Sequence, residues 1–189
     1  MKTIKLLLLC YFVFAMMVCG CEITPKKPEA KAVLKSESDE AVAIMKEKDS
    51  SIQKFFDNSY AYAVMPKIFK GAFLAGFAYG RGEVYEQGKM VGYCDMKQAS
   101  GGLSIGGEFY REIIFFVQKQ DLDKFCEGEY TFSAQVTGVA LNAGAAAKSD
   151  YRAGMAVFIT MDVGAMVDAS LGGQKFNFEP IYELKKVQK

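Results

Sequence analysis

The chain has 189 residues, with 23 Lys and Arg, 22 Asp and Glu, and no histidine. A net charge of +1 gives no ground for nucleic-acid binding or for a bulk polybasic attraction to membranes. The missing histidine excludes Ser-His-Asp and Cys-His catalysis and imidazole-ligated zinc, and no catalytic residue, metal site or cofactor is expected.

Lys2 and Lys5 precede 13 uninterrupted apolar residues, Leu6 to Val18, and then Cys19-Gly20-Cys21. A basic head, an apolar run of this length and a small-residue exit read as a secretory signal peptide. A membrane span would need about 20 apolar residues. The ending resembles the lipobox of bacterial lipoproteins, with Val18 at −3, Cys19 at −2, Gly20 at −1 and Cys21 as acceptor. That resemblance implies residues 1–20 as signal peptide, cleavage before Cys21 and acylation of its thiol. One acyl chain holds a protein only marginally and two or three hold it firmly. Glu22 at +2 implies, in a double-membraned host, the periplasmic face of the outer membrane. The alternative is a plain secreted protein cut after Gly20. The signal carries two basic residues and no acids, which leaves 21 against 22 and a net charge of −1.

Residues 22–35, rich in Pro and Lys, read with Cys21 as anchor and tether, and residues 36–189 as one domain. Ser36 to Asp57 is predicted helical, with Ser36 or Ser38 as cap and Val42, Met45, Ile52 and Phe56 near one face packed on the domain. A membrane-lying helix would want a basic polar face, and this segment carries three lysines against six acids.

From Tyr60 the pattern becomes β. Leu103, Ile105 and Phe109 alternate with polar residues, as do Tyr130, Phe132, Ala134 and Val136, and Met155, Val157, Ile159 and Met161 share one face. Ile113 to Val117 reads as a strand covered on both faces, Gln87-Gly88 as a tight hairpin, and Lys148 to Gly154 as a charged loop. Lys119 to Glu127 is the second helix, with Leu122 and Phe125 inward and Gly128 ending it. Ser104-Ile105-Gly106-Gly107 is echoed by Ser170-Leu171-Gly172-Gly173, and such glycine pairs mark bends or bulges. The fold expected is α+β, mainly antiparallel β: a curved sheet or barrel-like domain with a packed N-terminal helix and one short second helix.

Cys10 and Cys19 leave with the signal, and Cys94 and Cys126 remain, either as a disulfide or as separate thiols. They are too few for a structural zinc. Gly102-Leu103-Ser104-Ile105-Gly106 spells the hydrolase elbow, but no histidine exists to take the serine's proton, and Ser104 lies in a strand pattern. Ser51-Ile52-Gln53-Lys54 spells S-x-x-K without its S-D-N or K-T-G partners. Residues 71–82 hold no phosphate-loop glycine spacing, and no acidic cluster resembles a calcium loop.

Tyr60-Ala61-Tyr62-Ala63-Val64-Met65-Pro66-Lys67-Ile68-Phe69-Lys70-Gly71 leads into Ala78-Tyr79-Gly80-Arg81-Gly82-Glu83-Val84-Tyr85. Gln98 to Leu103, Glu112 to Phe116, Asp150-Tyr151 and Ser170 to Phe176 follow in order. The series resembles the SYLF-domain family, in its short bacterial lipoprotein branch, over roughly residues 41–180. The resemblance implies a non-enzymatic domain that binds lipid, phosphoinositides in eukaryotic members. Its Pro-Lys-x-x-Lys-Gly and Gly-Arg-Gly elements carry lipid binding over to Lys67, Lys70, Gly71, Gly80, Arg81 and Gly82. The expected partners are therefore membrane lipids. The other reading is an envelope structural or protein-interaction lipoprotein without specific lipid recognition.

Overall fold

The structure is a computed structural model that describes residues 23–128, 131–132 and 139–181. The signal peptide and Cys21 lie outside the described residues, as does all of the alternation predicted for 130–136 except Thr131–Phe132.

Helix α1 spans Pro28–Lys48, so more than half of the segment read as tether, from Pro28 onward, is helical. Lys27, in extended conformation, is the N-cap, and Pro28 occupies the first turn, where its missing N–H costs nothing. Ser38, a predicted cap, is buried in mid-helix instead. The single helix expected over 36–57 is broken at Asp49, which caps a 3₁₀ turn, Ser50–Ile52, that runs into the short α2, Gln53–Asn58. Asp49 Oδ1 accepts from the N–H and hydroxyl of Ser51 at 3.0 and 2.6 Å, and Oδ2 accepts from the Ala146 N–H at 2.8 Å. One buried carboxylate thus ties the helix break to the backbone at Ala146.

The sheet is made of three very long strands, β1 (Ala61–Glu86), β2 (Lys89–Phe116) and β5 (Met155–Pro180), with the short β3 (Thr131–Phe132) and β4 (Val139–Ala140). The order is β1-β2-β5-β3. All pairings on this path are antiparallel, and β4 adds a parallel pairing to β5. Helix α3 (Lys119–Cys126) buries Leu122 and Phe125 as predicted and is followed by Gly128 at φ 72°. Gln87 and Gly88, at φ 48° and 77°, form the two-residue hairpin turn with positive φ at both central positions that the twist of the strands favours. The structure is α+β and mainly antiparallel, with a bent sheet that does not close into a barrel.

The bend is forced by length. A straight 26-residue strand would reach about 85 Å. Yet the Gln87 N–H, just past the end of β1, donates to the Tyr60 carbonyl, just before its start, at 3.0 Å. β1 therefore folds back on itself. Its inner face forms one core: Ala61, Ala63, Met65 and Ile68 from the first half meet Ala78 and Val84 from the second, with Cys94, Met96, Ile114, Phe116, Phe125 and Phe176. Gly82 permits the crossing, because a Cβ there would overlap the Val64 carbonyl oxygen. The outer face is covered by the helices through a second core of Ala41, Met45, Ile52, Phe55, Val64, Ile113, Phe115 and Phe158. Phe55 lies 4.8 Å from the Phe158 ring, 5.1 Å from Tyr151 and 5.5 Å from Phe115. The continuous run Ile113–Phe116 serves both cores alternately, as its two-sided apolarity predicts. Every member of the two cores lies between Ala41 and Phe176, so a chain that starts at Ile23 keeps both complete.

Candidate functional site

Pro66 has no N–H to offer the ladder, and the register of β1 against β2 slips between Met65 and Ile68. Such a bulge re-aims a side chain. Lys67 emerges exposed from it, with its ammonium 5.2 Å from the centre of the Phe109 ring, a cation–π distance. Phe69 follows on the same face, 5.3 Å from Phe109 and 5.7 Å from Phe77. Gly80 brings the second half of β1 against this bulge, since a Cβ there would lie 2.5 Å from Ile68 Cγ1 and 3.2 Å from the Lys67 carbonyl oxygen. Tyr79 and Arg81 flank that crossing, and Arg81 Nε donates to the Tyr79 hydroxyl at 2.9 Å.

Helix α1 supplies the opposite wall. Ala30, Val33, Leu34 and Glu37, with Pro25 just before the helix, face Pro66, Lys67, Phe69, Tyr79, Gly80, Arg81 and Phe109 across a groove of about 590 Å³. A second hollow of about 520 Å³ shares Glu37, Pro66, Lys67 and Phe109 with it and continues toward Glu40, Lys48, Arg111 and Asp162. There Arg111 is ion-paired with Asp162, and the Lys48 ammonium donates to the Met161 carbonyl at 3.3 Å. One groove therefore runs along α1, apolar toward the start of the helix and charged toward its end, with Lys67 where the halves meet.

Of the six lipid-binding candidates, Lys67, Gly80 and Arg81 line this groove, and Gly82 lies beneath it at the Val64 crossing. Lys70 does not join them. Three residues from Lys67 on a strand, it takes the other face with Ile68 and pairs with Glu108 at 3.6 Å, mostly buried. Gly71 backs the Phe69 ring, which a Cβ would approach to 3.0 Å. The glycines thus act through close approach of strands and rings. The apolar walls, Val33, Leu34, Phe69, Tyr79 and Phe109, were not among the predicted site residues. The i, i+2 spacing of Lys67 and Phe69 is the one local signal that pointed to a shared face.

Cys94 and Cys126 are free thiols in one core, Cys94 buried and Cys126 half-buried against it. Burial pushes both thiols up, with nearby carboxylates adding to it, Cys126 to about 12. The inner face also holds Glu112, fully buried. Its Oε2 accepts from Gln174 Nε2 at 3.3 Å, and its Oε1 has no hydrogen-bond partner. Burial pushes this carboxyl up to about 7, against a smaller lowering by Gln174. Among the described residues no three His, Cys, Asp or Glu side chains are placed to hold a metal, and no helix is long and apolar enough to cross a membrane.

No family model matches the chain. It is similar to a protein of Aeromonas veronii described as beta cell expansion factor A, at 28% identity over 150 residues. That similarity covers 78% of this chain and 57% of the relative, so the chain spans little more than half of that protein's length.

Proposed function

We propose that the chain is an exported lipoprotein, anchored through Cys21, whose non-catalytic SYLF-like domain binds anionic phospholipid with Lys67 and Arg81. The observation that supports this reading is the meeting of two cations, 14 positions apart in sequence, on one groove with apolar walls. Net charge supplies no attraction, so the binding is local. Each cation contributes about 1 kcal/mol at an anionic surface. Exposed charges are screened within about 8 Å at physiological ionic strength, so affinity falls as salt rises.

The test is co-sedimentation of the chain from Ile23 onward with neutral and with anionic vesicles. Binding should require anionic lipid and weaken with salt. Joint replacement Lys67→Gln and Arg81→Gln should lower affinity about thirtyfold, the equivalent of about 2 kcal/mol. Equal binding to both vesicle types, or none, would favour the envelope interaction protein. For the anchor, labelled fatty acid should enter the wild type and not Cys21→Ser. Equal labelling of the two would remove that part of the reading.

A further inference from the structure

The groove has more apolar wall than recognition of a lipid head group requires. Val33 is 57% exposed on the helix side, and Phe69 and Phe109 are 38% and 37% exposed on the sheet side. Phe77, at 58%, extends the same patch through its contact with Phe69. Three exposed apolar side chains facing a hollow in water, with a fourth packed against one of them, mark a binding surface rather than scattered surface hydrophobes. Its volume lies within the range of pockets that enclose small ligands.

The arrangement has direction as well as size. From Ala30 to Glu37 the helix wall runs about 10 Å at 1.5 Å per residue. That is about two-thirds of the depth of one leaflet's hydrocarbon, roughly 15 Å. Lys67 and Arg81 stand at this apolar half, and beyond Lys67 the groove gains charge, with Glu40, Lys48 and the Arg111–Asp162 pair beside Ile44 and Met161. A ligand with a hydrocarbon tail and an anionic head matches this order, its head at Lys67 and its tail under Val33 and Leu34. An extended protein segment would need paired backbone donors and acceptors from the groove, and the walls here are mainly apolar side chains.

We infer that this groove takes the tail of a single-chain anionic phospholipid, one molecule per protein. The inference rests on the lipid-binding reading above and makes it specific: the ligand is a monomer with its chain enclosed, and not only a charged surface. Position agrees with this. Pro25 lines the groove and Cys21 is four residues earlier, at most about 14 Å of chain away. Acylation of Cys21 would hold the groove beside the bilayer that supplies such a molecule.

The test is calorimetric titration of the chain from Ile23 onward with lysophosphatidylglycerols below their micelle-forming concentrations. Tails should run from about four to about fourteen carbons, and affinity should rise about fourfold per methylene up to about eight carbons, the length that the wall of about 10 Å accommodates, then level off. Val33→Asp sits on an exposed position that leaves both cores intact and should lower the affinity of a long tail at least tenfold. Lys67→Gln should lower affinity for every tail by a common factor and leave the dependence on tail length unchanged. Lysophosphatidylcholine of equal length should bind more weakly than the anionic lipid. Absence of monomer binding, or a length dependence that Val33→Asp leaves untouched, overturns the inference. Vesicle binding without monomer binding overturns this inference alone, whereas monomer binding without vesicle binding upholds it and removes the surface-binding reading.

Discussion

Glu112→Gln should change how the stability of this protein depends on pH, and the sign can be worked from the structure. Glu112 sits inside the bent sheet, fully buried, with one hydrogen bond from Gln174 and one oxygen without a partner. Burial disfavours the ionised carboxylate and pushes its pKa from the ordinary 4.5 to about 7. Below pH 4.5 both folded and unfolded chains carry the proton, and the residue has no effect on the pH slope. Between pH 4.5 and 7 the unfolded chain ionises while the folded one does not, so stability falls as pH rises. Above pH 7 the loss is complete. At 1.36 kcal/mol per pH unit it comes to about 3 kcal/mol. Glutamine keeps the shape and a donor but never ionises. Urea unfolding of both proteins from pH 4 to 8 should give a Glu112→Gln variant close to wild type at the acidic end. At the alkaline end the variant should be more stable by about 3 kcal/mol, or roughly 6–12 °C in Tm for a chain of this size. Parallel stability curves for the two proteins would refute the reasoning, because every other carboxylate is common to both.

Gly82→Ala should destabilise by about 1–3 kcal/mol or more, since the new Cβ meets the Val64 backbone rather than a side chain that can turn away; thermal unfolding measures it. Asp49→Ala strands the buried Ala146 N–H and removes the cap of the 3₁₀ turn. It should cost about 1–3 kcal/mol, with faster hydrogen exchange at Ala146 as the local signature. Neither Cys94 nor Cys126 should be alkylated quickly at pH 8, because burial holds both thiols protonated; mass spectrometry after a timed pulse should find Cys94 labelled only on unfolding. Lys70→Gln leaves Glu108 largely buried without its partner and should cost roughly 1–3 kcal/mol, yet anionic vesicles should still bind it, because Lys70 faces away from the groove.

What the sequence made legible was local. Of Met155, Val157, Ile159 and Met161, read as sharing one face, the first two belong to the inner core and Ile159 packs against it, whereas Met161 is exposed. The run Ile113–Phe116 is covered on both faces, and the Gln87-Gly88 turn sits where its residues predict. What was not legible depends on distance along the chain. Period-2 patterns are read over a handful of residues, so three strands of 26 to 28 residues looked like several short ones interrupted by glycine. The start of α1 is hidden because Pro25 and Pro28 give residues 22–35 the composition of a linker. Pro28 is a helix-initiating proline, and Leu34, Ser38, Ala41 and Met45 already carry helical spacing.

The cations show the same division more sharply. Lys67 and Lys70 belong to one motif by resemblance, yet on a strand a separation of three residues puts two side chains on opposite faces, and only the bulge at Pro66 decides which one reaches solvent. Arg81 joins Lys67 through the fold-back of β1, which needs a residue without a Cβ at Gly80 and at Gly82. The Gly-Arg-Gly element therefore has a mechanical meaning separable from any ligand: its glycines let two halves of one strand touch, and its arginine is carried to the groove as a consequence. An alanine at either glycine should disturb the position of Arg81 and the inner core together, whereas Arg81→Gln should leave the core intact and alter only the groove.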